Sequence, residues 1–203
     1  MSEPQSIHIP PIRTERLLLR PLVESDRAAY IRLHETSGEH LRRWSPSRPA
    51  GESLDALFDR QIERARTGLA TGTAARLAAF DALSGALAGL FNLNNITRGV
   101  AQYADAGWAV SAEFIGRGFA TEGVWALLDL AFSAPREDDS GGLGLHRVQA
   151  NVIPENAPSL RVAAKCGFRI EGLALAMLQI NGRWRDHAMH AKLAEEHQFK
   201  YLG

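Results

Sequence analysis

Cysteine is almost missing from the 203 residues, with Cys166 standing alone. A single cysteine excludes an intrachain disulfide framework and any multi-cysteine zinc site, and it fits a reducing cytosol. Net charge is missing too, because 23 Lys+Arg face 23 Asp+Glu. Zero net charge argues against binding DNA or RNA through bulk charge, since that affinity comes from phosphate neutralisation. Long charge-free apolar runs are also absent. The stretch Ala74 to Phe91 carries Arg76 and Asp81, and Gly118 to Ala134 carries Glu122 and Asp129. Neither approaches the roughly 20 apolar residues a membrane helix needs. Near the start, Glu3, Pro10 and Pro11 leave no room for a secretory signal. The expectation is a soluble cytoplasmic protein with no membrane and no direct nucleic-acid partner. No repeat or low-complexity tract stands out.

What remains is ordinary globular composition, 45% apolar and 23% charged. The length predicts one domain over 1–203, or one domain with an elaboration. Arg16 to Leu22 reads as a first strand that Pro21 ends. Ser25 is a candidate cap for a helix running through Tyr30 toward His34, and Ser53 for a second helix. In the second, Leu54, Leu57, Phe58, Ile62 and Ala65 fall on one helical face. Three strand-like runs follow, Ala75 to Asp81, Ala86 to Ile96 and one ending at Val110, and they predict an antiparallel meander. A helix with Val124, Leu127, Leu128 and Ala131 on one face comes next, then an acidic, glycine-rich loop from Arg136 to Gly144.

From His146 to Ile153 the chain alternates, as a half-buried strand does. Asn156 is placed to cap a short helix that Gly167 ends. Asn181-Gly182 between two strand-like runs marks a hairpin, because both turn positions need positive φ. The resulting order, β-α-α-β-β-β-α-β-α-β-β, is a mixed α/β (α+β) chain with much antiparallel sheet.

The sharpest local feature is VSAEFIGRGFAT, Val110 to Thr121, where a strand ends, two glycines bracket Arg117 and a helix begins. The first helical N–H groups have no intrahelical partner and sit at the positive end of the helix dipole. Such an end binds phosphate or pyrophosphate. A plain turn into a structural helix has the same appearance. A Rossmann fingerprint does not fit, because position 121 is threonine where the third glycine belongs.

Together, ERLLLRPL, GWAVSAEFIGRGFATEG, HRVQANVIPENAPSLRVAAKCGFRIEG and INGRWRDH resemble the GNAT superfamily of acetyl-CoA-dependent N-acetyltransferases. They are most similar to the ribosomal-protein-alanine N-acetyltransferases of the RimJ/RimL type. The resemblance implies the GNAT fold, acetyl-CoA as cosubstrate, no metal, and direct transfer of acetyl to a primary amine. The acceptor it implies is a protein N-terminal α-amine, with a small amine such as an amino acid, polyamine or antibiotic as the alternative. A non-catalytic acetyl-CoA sensor is a third reading. A monomer and a homodimer are both compatible with such a fold.

By the same resemblance, Ile115, Gly116, Arg117, Gly118, Phe119, Ala120 and Thr121 form the pyrophosphate loop, with Glu113 replacing the family's Gln/Arg. Val110 and Ser111 border the pantetheine arm and Asn156 contacts the cosubstrate. Glu171 matches the general-base position and Ser159 the position that protonates the leaving thiolate. Trp44, Asn92 and Asn94 are acceptor-side candidates, with Asp105 and Asp186 as fallback bases. Each residue also has a plain structural reading, Glu171 as a solvated strand-end acid and Ser159 as a helix first-turn residue. Cys166 reads as a small buried side chain, and His187 and His190 should point to opposite faces of a strand.

The chemistry sets its own scale. At pH 7.4 an α-amine with pKa about 7.8 is roughly 30% neutral, whereas a lysine near 10.4 is about 0.1% neutral. That gap is roughly 3.5 kcal/mol, so an N-terminal acceptor needs less help from a base.

Overall fold

A computed structural model describes residues 6–136 and 141–202. Part of the predicted acidic loop, 137–140, lies outside the described residues. Among them the elements are β1 (Ile12–Arg13), β2 (Leu17–Arg20), α1 (Arg27–Arg42), α2 (Leu54–Ala70), β3 (Ala75–Asp81), β4 (Leu87–Thr97) and β5 (Tyr103–Val110). They continue with α3 (Phe119–Phe132), β6 (Arg147–Val152), α4 (Ala157–Lys165), β7 (Arg169–Ile180) and β8 (Arg183–Leu193).

The predicted strand at 16–22 stops at Arg20, before Pro21, and gains a two-residue partner in β1. The first helix is longer than expected, because Tyr30, Leu33, Ser37 and Leu41 carry its buried face beyond His34. Its start also differs, since Ser25 sits inside a short 3-10 turn, Glu24–Asp26, and caps nothing. Asp26 occupies the capping position instead, but its carboxylate is taken by the Arg20 guanidinium at 2.6 and 2.8 Å and by the Val23 N–H at 2.8 Å. Ser53 caps α2 as expected, its hydroxyl accepting from the Ala56 N–H at 3.1 Å. The β7–β8 hairpin turns at Asn181 (φ 46) and Gly182 (φ 76), the left-handed pair that Asn-Gly favours.

All eight strands form one sheet in the order β1-β2-β3-β4-β5-β6-β8-β7. Every neighbouring pair is antiparallel except β5 and β6. Strand alternation divides the side chains between two cores. One face carries Leu19, Leu77, Leu93, Ala104 and Val148 onto α3, which is buried nearly all round. The other carries Ala78, Phe80 and Leu87 onto α1 and α2 through Tyr30, Leu33, Leu57 and Phe58. Gly123 lets α3 lie directly on β4, because a Cβ there would overlap the Phe91 ring.

The parallel pair decides where a ligand fits. Its register runs Tyr103↔Arg147, Ala104↔Val148 and Asp105↔Gln149, and then the pairing ends. Both strands continue, β5 to Val110 and β6 to Val152, so they splay. The opening leaves one edge of Ala106–Val110 without a strand partner while the other stays paired to β4. Such an edge holds a row of unpaired N–H and C=O groups.

Candidate active site

The splay opens a cleft of about 480 Å3. Gly107 to Val110 form one wall, Asn151 to Ile153 another, and the start of α4 a third. The glycine turn closes the mouth. Gly116 (φ 76) and Gly118 (φ 85) hold the left-handed backbone that other residues adopt at a cost. Gly118 ends the turn at the N-cap of α3, where no side chain makes a capping bond. The free N–H groups there and the dipole behind them suit a diphosphate.

What fixes this turn was not legible in the motif. Glu122, in the first turn of α3, is only 6% exposed. It accepts from the Arg16 Nε at 2.7 Å, the Arg16 backbone N–H at 2.8 Å and the Thr14 hydroxyl at 2.5 Å. Arg16 Nη1 also donates to the Arg117 carbonyl at 2.8 Å. The residues before β2 therefore clamp the glycine turn. The ER of the first quoted motif, Glu15-Arg16, contained the signal, but nothing local tied Arg16 to a residue 106 positions away.

The expected cosubstrate residues divide by role. Val110, Ile115, Gly116, Gly118, Ala120, Thr121 and Asn156 line the cleft. Ser111, Arg117 and Phe119 do not. Ser111 is buried against Ser37, with the hydroxyls 3.2 Å apart, while the Ala112 N–H donates to Ser37 Oγ at 2.8 Å. That pair ties the loop to α1. Phe119 is core, with the Arg16 guanidinium 4.5 Å above its ring. Arg117 is exposed and lies over Phe114 and Phe119.

Ser159 is at the cleft wall, on the first turn of α4, its N–H donating to Asn156 Oδ1 at 3.3 Å. Glu171 is elsewhere. It lines neither this cleft nor the cavity beside it. Its carboxylate is held by Arg147 and, at 2.8 Å, by Arg169, which also binds Glu196. Hydrogen bonding from Arg147 holds its carboxyl below the usual carboxylate range. The general-base assignment thus meets an anchored anion, because two guanidiniums occupy the oxygens that would accept a proton. Asp105 is taken by the Asn95 amide and Asp186 by the Ala176 N–H, each at 2.8 Å, and neither lines the cleft.

The group that strand reasoning set aside does line it. His187 is 2% exposed and faces the cleft from β8. Its Nδ1 lies 3.0 Å from the Arg185 carbonyl, which can only accept. That bond selects the tautomer with the proton on Nδ1, in which Nε2 is the atom with a lone pair to accept a proton. Cys166 stays inert at the end of α4, because burial pushes its thiol up to about 12.

Beyond β5 the cleft meets a larger cavity of about 940 Å3 between the sheet and α1, α2 and the loop after α1. The two share Leu41, Trp44, Ser45, Gly107, Trp108 and Ala109. Trp44 thus stands at the junction, and Asn92 and Asn94 line the larger cavity.

A mixed sheet with one splayed parallel pair, and a glycine-turned helix start at its mouth, is the architecture of the acyl-CoA N-acyltransferases. Residues 16–169 match the family model described as "Acetyltransferase (GNAT) domain", and the chain belongs to that family. It is similar to the Mycobacterium smegmatis RimJ solved with CoA-disulfide, at 30% identity and a TM-score of 0.78, over 95% of this chain and 89% of that one. It is 25% identical to the [ribosomal protein uS5]-alanine N-acetyltransferase of Escherichia coli over 91% of this chain and 92% of that one. It is also 39% identical to the probable N-acetyltransferase YjcK of Bacillus subtilis, over 56% of this chain and 59% of that relative. The chain is an acetyl-CoA-dependent N-acetyltransferase of the GNAT fold. Among the described residues no helix is long and apolar enough to cross a membrane.

Proposed function

We propose that this enzyme acetylates the α-amine at the N-terminus of a protein. The observation that carries the reading is the junction of two cavities at Gly107–Ala109. One is narrow and suits a thioester arm, and the other is wide enough for several residues of a chain end. The resemblance to alanine N-acetyltransferases over nine-tenths of the chain supports the same acceptor.

Acetyl-CoA supplies the activated acyl carbon and a thiolate leaving group. The protein does the rest by position. The amides at the start of α3 hold the diphosphate, and Asn156 and the open edge of β5 flank the arm. N–H groups of that edge stabilise the oxyanion that forms as the amine attacks. The α-amine enters past Trp44, between Asn92 and the end of β5. His187 Nε2 takes the proton that the amine loses, and the Ser159 hydroxyl gives one to the departing sulfur as it regains one from solvent, to which His187 releases its own. Because an α-amine is already partly neutral at about pH 7.4, it needs only a single side chain to take its proton as the new bond forms.

The test is release of free CoA thiol from acetyl-CoA against alanine- and serine-initiated peptides, amino acids and polyamines. Turnover on peptides supports the reading, and turnover only on small amines overturns it. His187→Asn is expected to lower kcat on peptides about 100-fold. Glu171→Gln is expected to stay within about threefold, because its carboxylate is bound away from the junction. The reverse ranking would return the base role to Glu171.

A further inference from the structure

The acceptor cavity is polar in an uneven way. Its walls bring together five arginines, Arg42, Arg48, Arg60, Arg64 and Arg76, against Glu35, Glu39 and Glu52. Glu52 is already spent, with both carboxylate oxygens 2.7 Å from Arg60. Glu35 and Glu39 are exposed on α1. Buried side-chain atoms without a hydrogen-bond partner among the described residues number four, His34 Nε2, Arg76 Nε, Asn94 Oδ1 and His197 Nδ1. The first three belong to residues that line this cavity. A buried polar atom left unpaired is costly, and the three residues that carry one stand on α1, β3 and β4 around this cavity, where Arg76 enters no ion pair among the described residues and leaves a cation for an anionic ligand.

Arg76 is the centre of the group. Burial, and then the neighbouring Arg64, lower its pKa, the mark of a cation without a counterion. Burial lowers His34 to about 4, with Arg48 adding to the effect, so its ring is neutral at pH 7. Register places Arg76 opposite Asn92, and Asn92 opposite Gly107. Two strand spacings of about 4.8 Å therefore separate Arg76 from the junction. An extended peptide advances about 3.4 Å per residue, so an acceptor whose amine lies at Gly107 brings its second or third side chain to Arg76.

We propose that the acceptor is a peptide N-terminus with an acidic side chain at its second or third position, and that Arg76 binds that carboxylate. Asn94 and His34 border the seat, and Arg64 adds positive potential. A cationic cavity of this kind disfavours polyamines and N-termini that begin with lysine or arginine. The inference rests on the N-terminal acceptor reading and narrows it.

The experiment compares alanine-initiated peptides with Asp-Glu, Gly-Gly or Lys-Lys at positions two and three, following CoA thiol release. The acidic peptide is expected to exceed the neutral one by about tenfold or more in kcat/KM, chiefly through KM, the size of a charge-assisted pair. In Arg76→Gln the ratio should collapse toward one, while Arg76→Lys keeps part of it. Melting temperature checks that both variants fold. Equal rates on the three peptides, a basic preference, or an acidic preference that survives Arg76→Gln would overturn the assignment. If no peptide reacts, isothermal titration of succinate into the wild type and Arg76→Gln decides. Binding that needs Arg76 keeps the anion seat and rejects the protein acceptor, and no binding rejects both.

Discussion

The cleft for the cosubstrate and the cavity for the acceptor sit side by side but are finished differently. Beside the cleft, the polar groups that hold the glycine turn and the start of α4 satisfy one another. Glu122 is bonded by Arg16 and Thr14, Ser37 by Ser111 and Ala112, and Asn156 by Ser159. Around the cavity, His34, Asn94 and Arg76 each leave an atom unpaired. The contrast teaches which surface is pre-shaped for a constant ligand and which keeps bonding capacity for a chosen one. Pre-shaping cuts the ordering cost of binding, whereas unpaired groups discriminate, because the wrong ligand leaves them unsatisfied.

The largest effect should come from breaking the pre-shaped side. In Gly118→Val a β-branched side chain must adopt φ 85, and even its Cβ would meet the Arg16 guanidinium at 3.2 Å. Acetyl-CoA KM, read by thiol release, should rise more than 100-fold, since both the turn and its clamp move. Glu122→Ala attacks the same clamp from below. It leaves the Arg16 N–H and Thr14 hydroxyl without their acceptor, so stability should fall by about 2–3 kcal/mol in urea unfolding. Ser159→Ala should lower kcat about 10- to 100-fold with little change in either KM, because its proton is needed only as the thiolate leaves.

The smallest effect concerns acid stability at the far edge of the acceptor-side core. Burial alone would raise the pKa of Asp26, but the Arg20 guanidinium and the Val23 N–H overcome it, so the folded pKa lies below the usual value. A lowered carboxylate stabilises the fold above the unfolded pKa of about 3.9, and the benefit is lost as pH falls through the folded value. Asp26→Asn should therefore be less stable than wild type at pH 7, and the two should converge once the pH has fallen below the lowered folded value. A gap that persisted in acid would show that packing, rather than charge, sets the effect.

Much of this contrast was open to sequence reasoning on one side only. The turn residues Gly116, Gly118 and Gly167, the caps Ser53 and Asn156, and the Asn181-Gly182 hairpin declare themselves, because each answers a local backbone demand. So does β6, whose alternation is intact, while β3 to β5 show themselves as strand-like runs between turn signals. The site itself depends on distant pairings. Whether Glu171 meets substrate or the Arg147 and Arg169 guanidiniums depends on the insertion of β8 between β6 and β7, which no local pattern encodes. Arg76 looked like a charge interrupting an apolar run. Only the register against Asn92 and Gly107 reveals it as part of a wall.

The most direct measurement uses one peptide that starts with Ala-Asp-Glu and carries a lysine further along. After incubation with enzyme and acetyl-CoA, fragment mass spectrometry locates the added acetyl group. The account calls for one acetyl group, on the α-amine, formed more slowly by Ser159→Ala. Acetyl on the lysine alone, or none while a polyamine in the same mixture is acetylated, would contradict it.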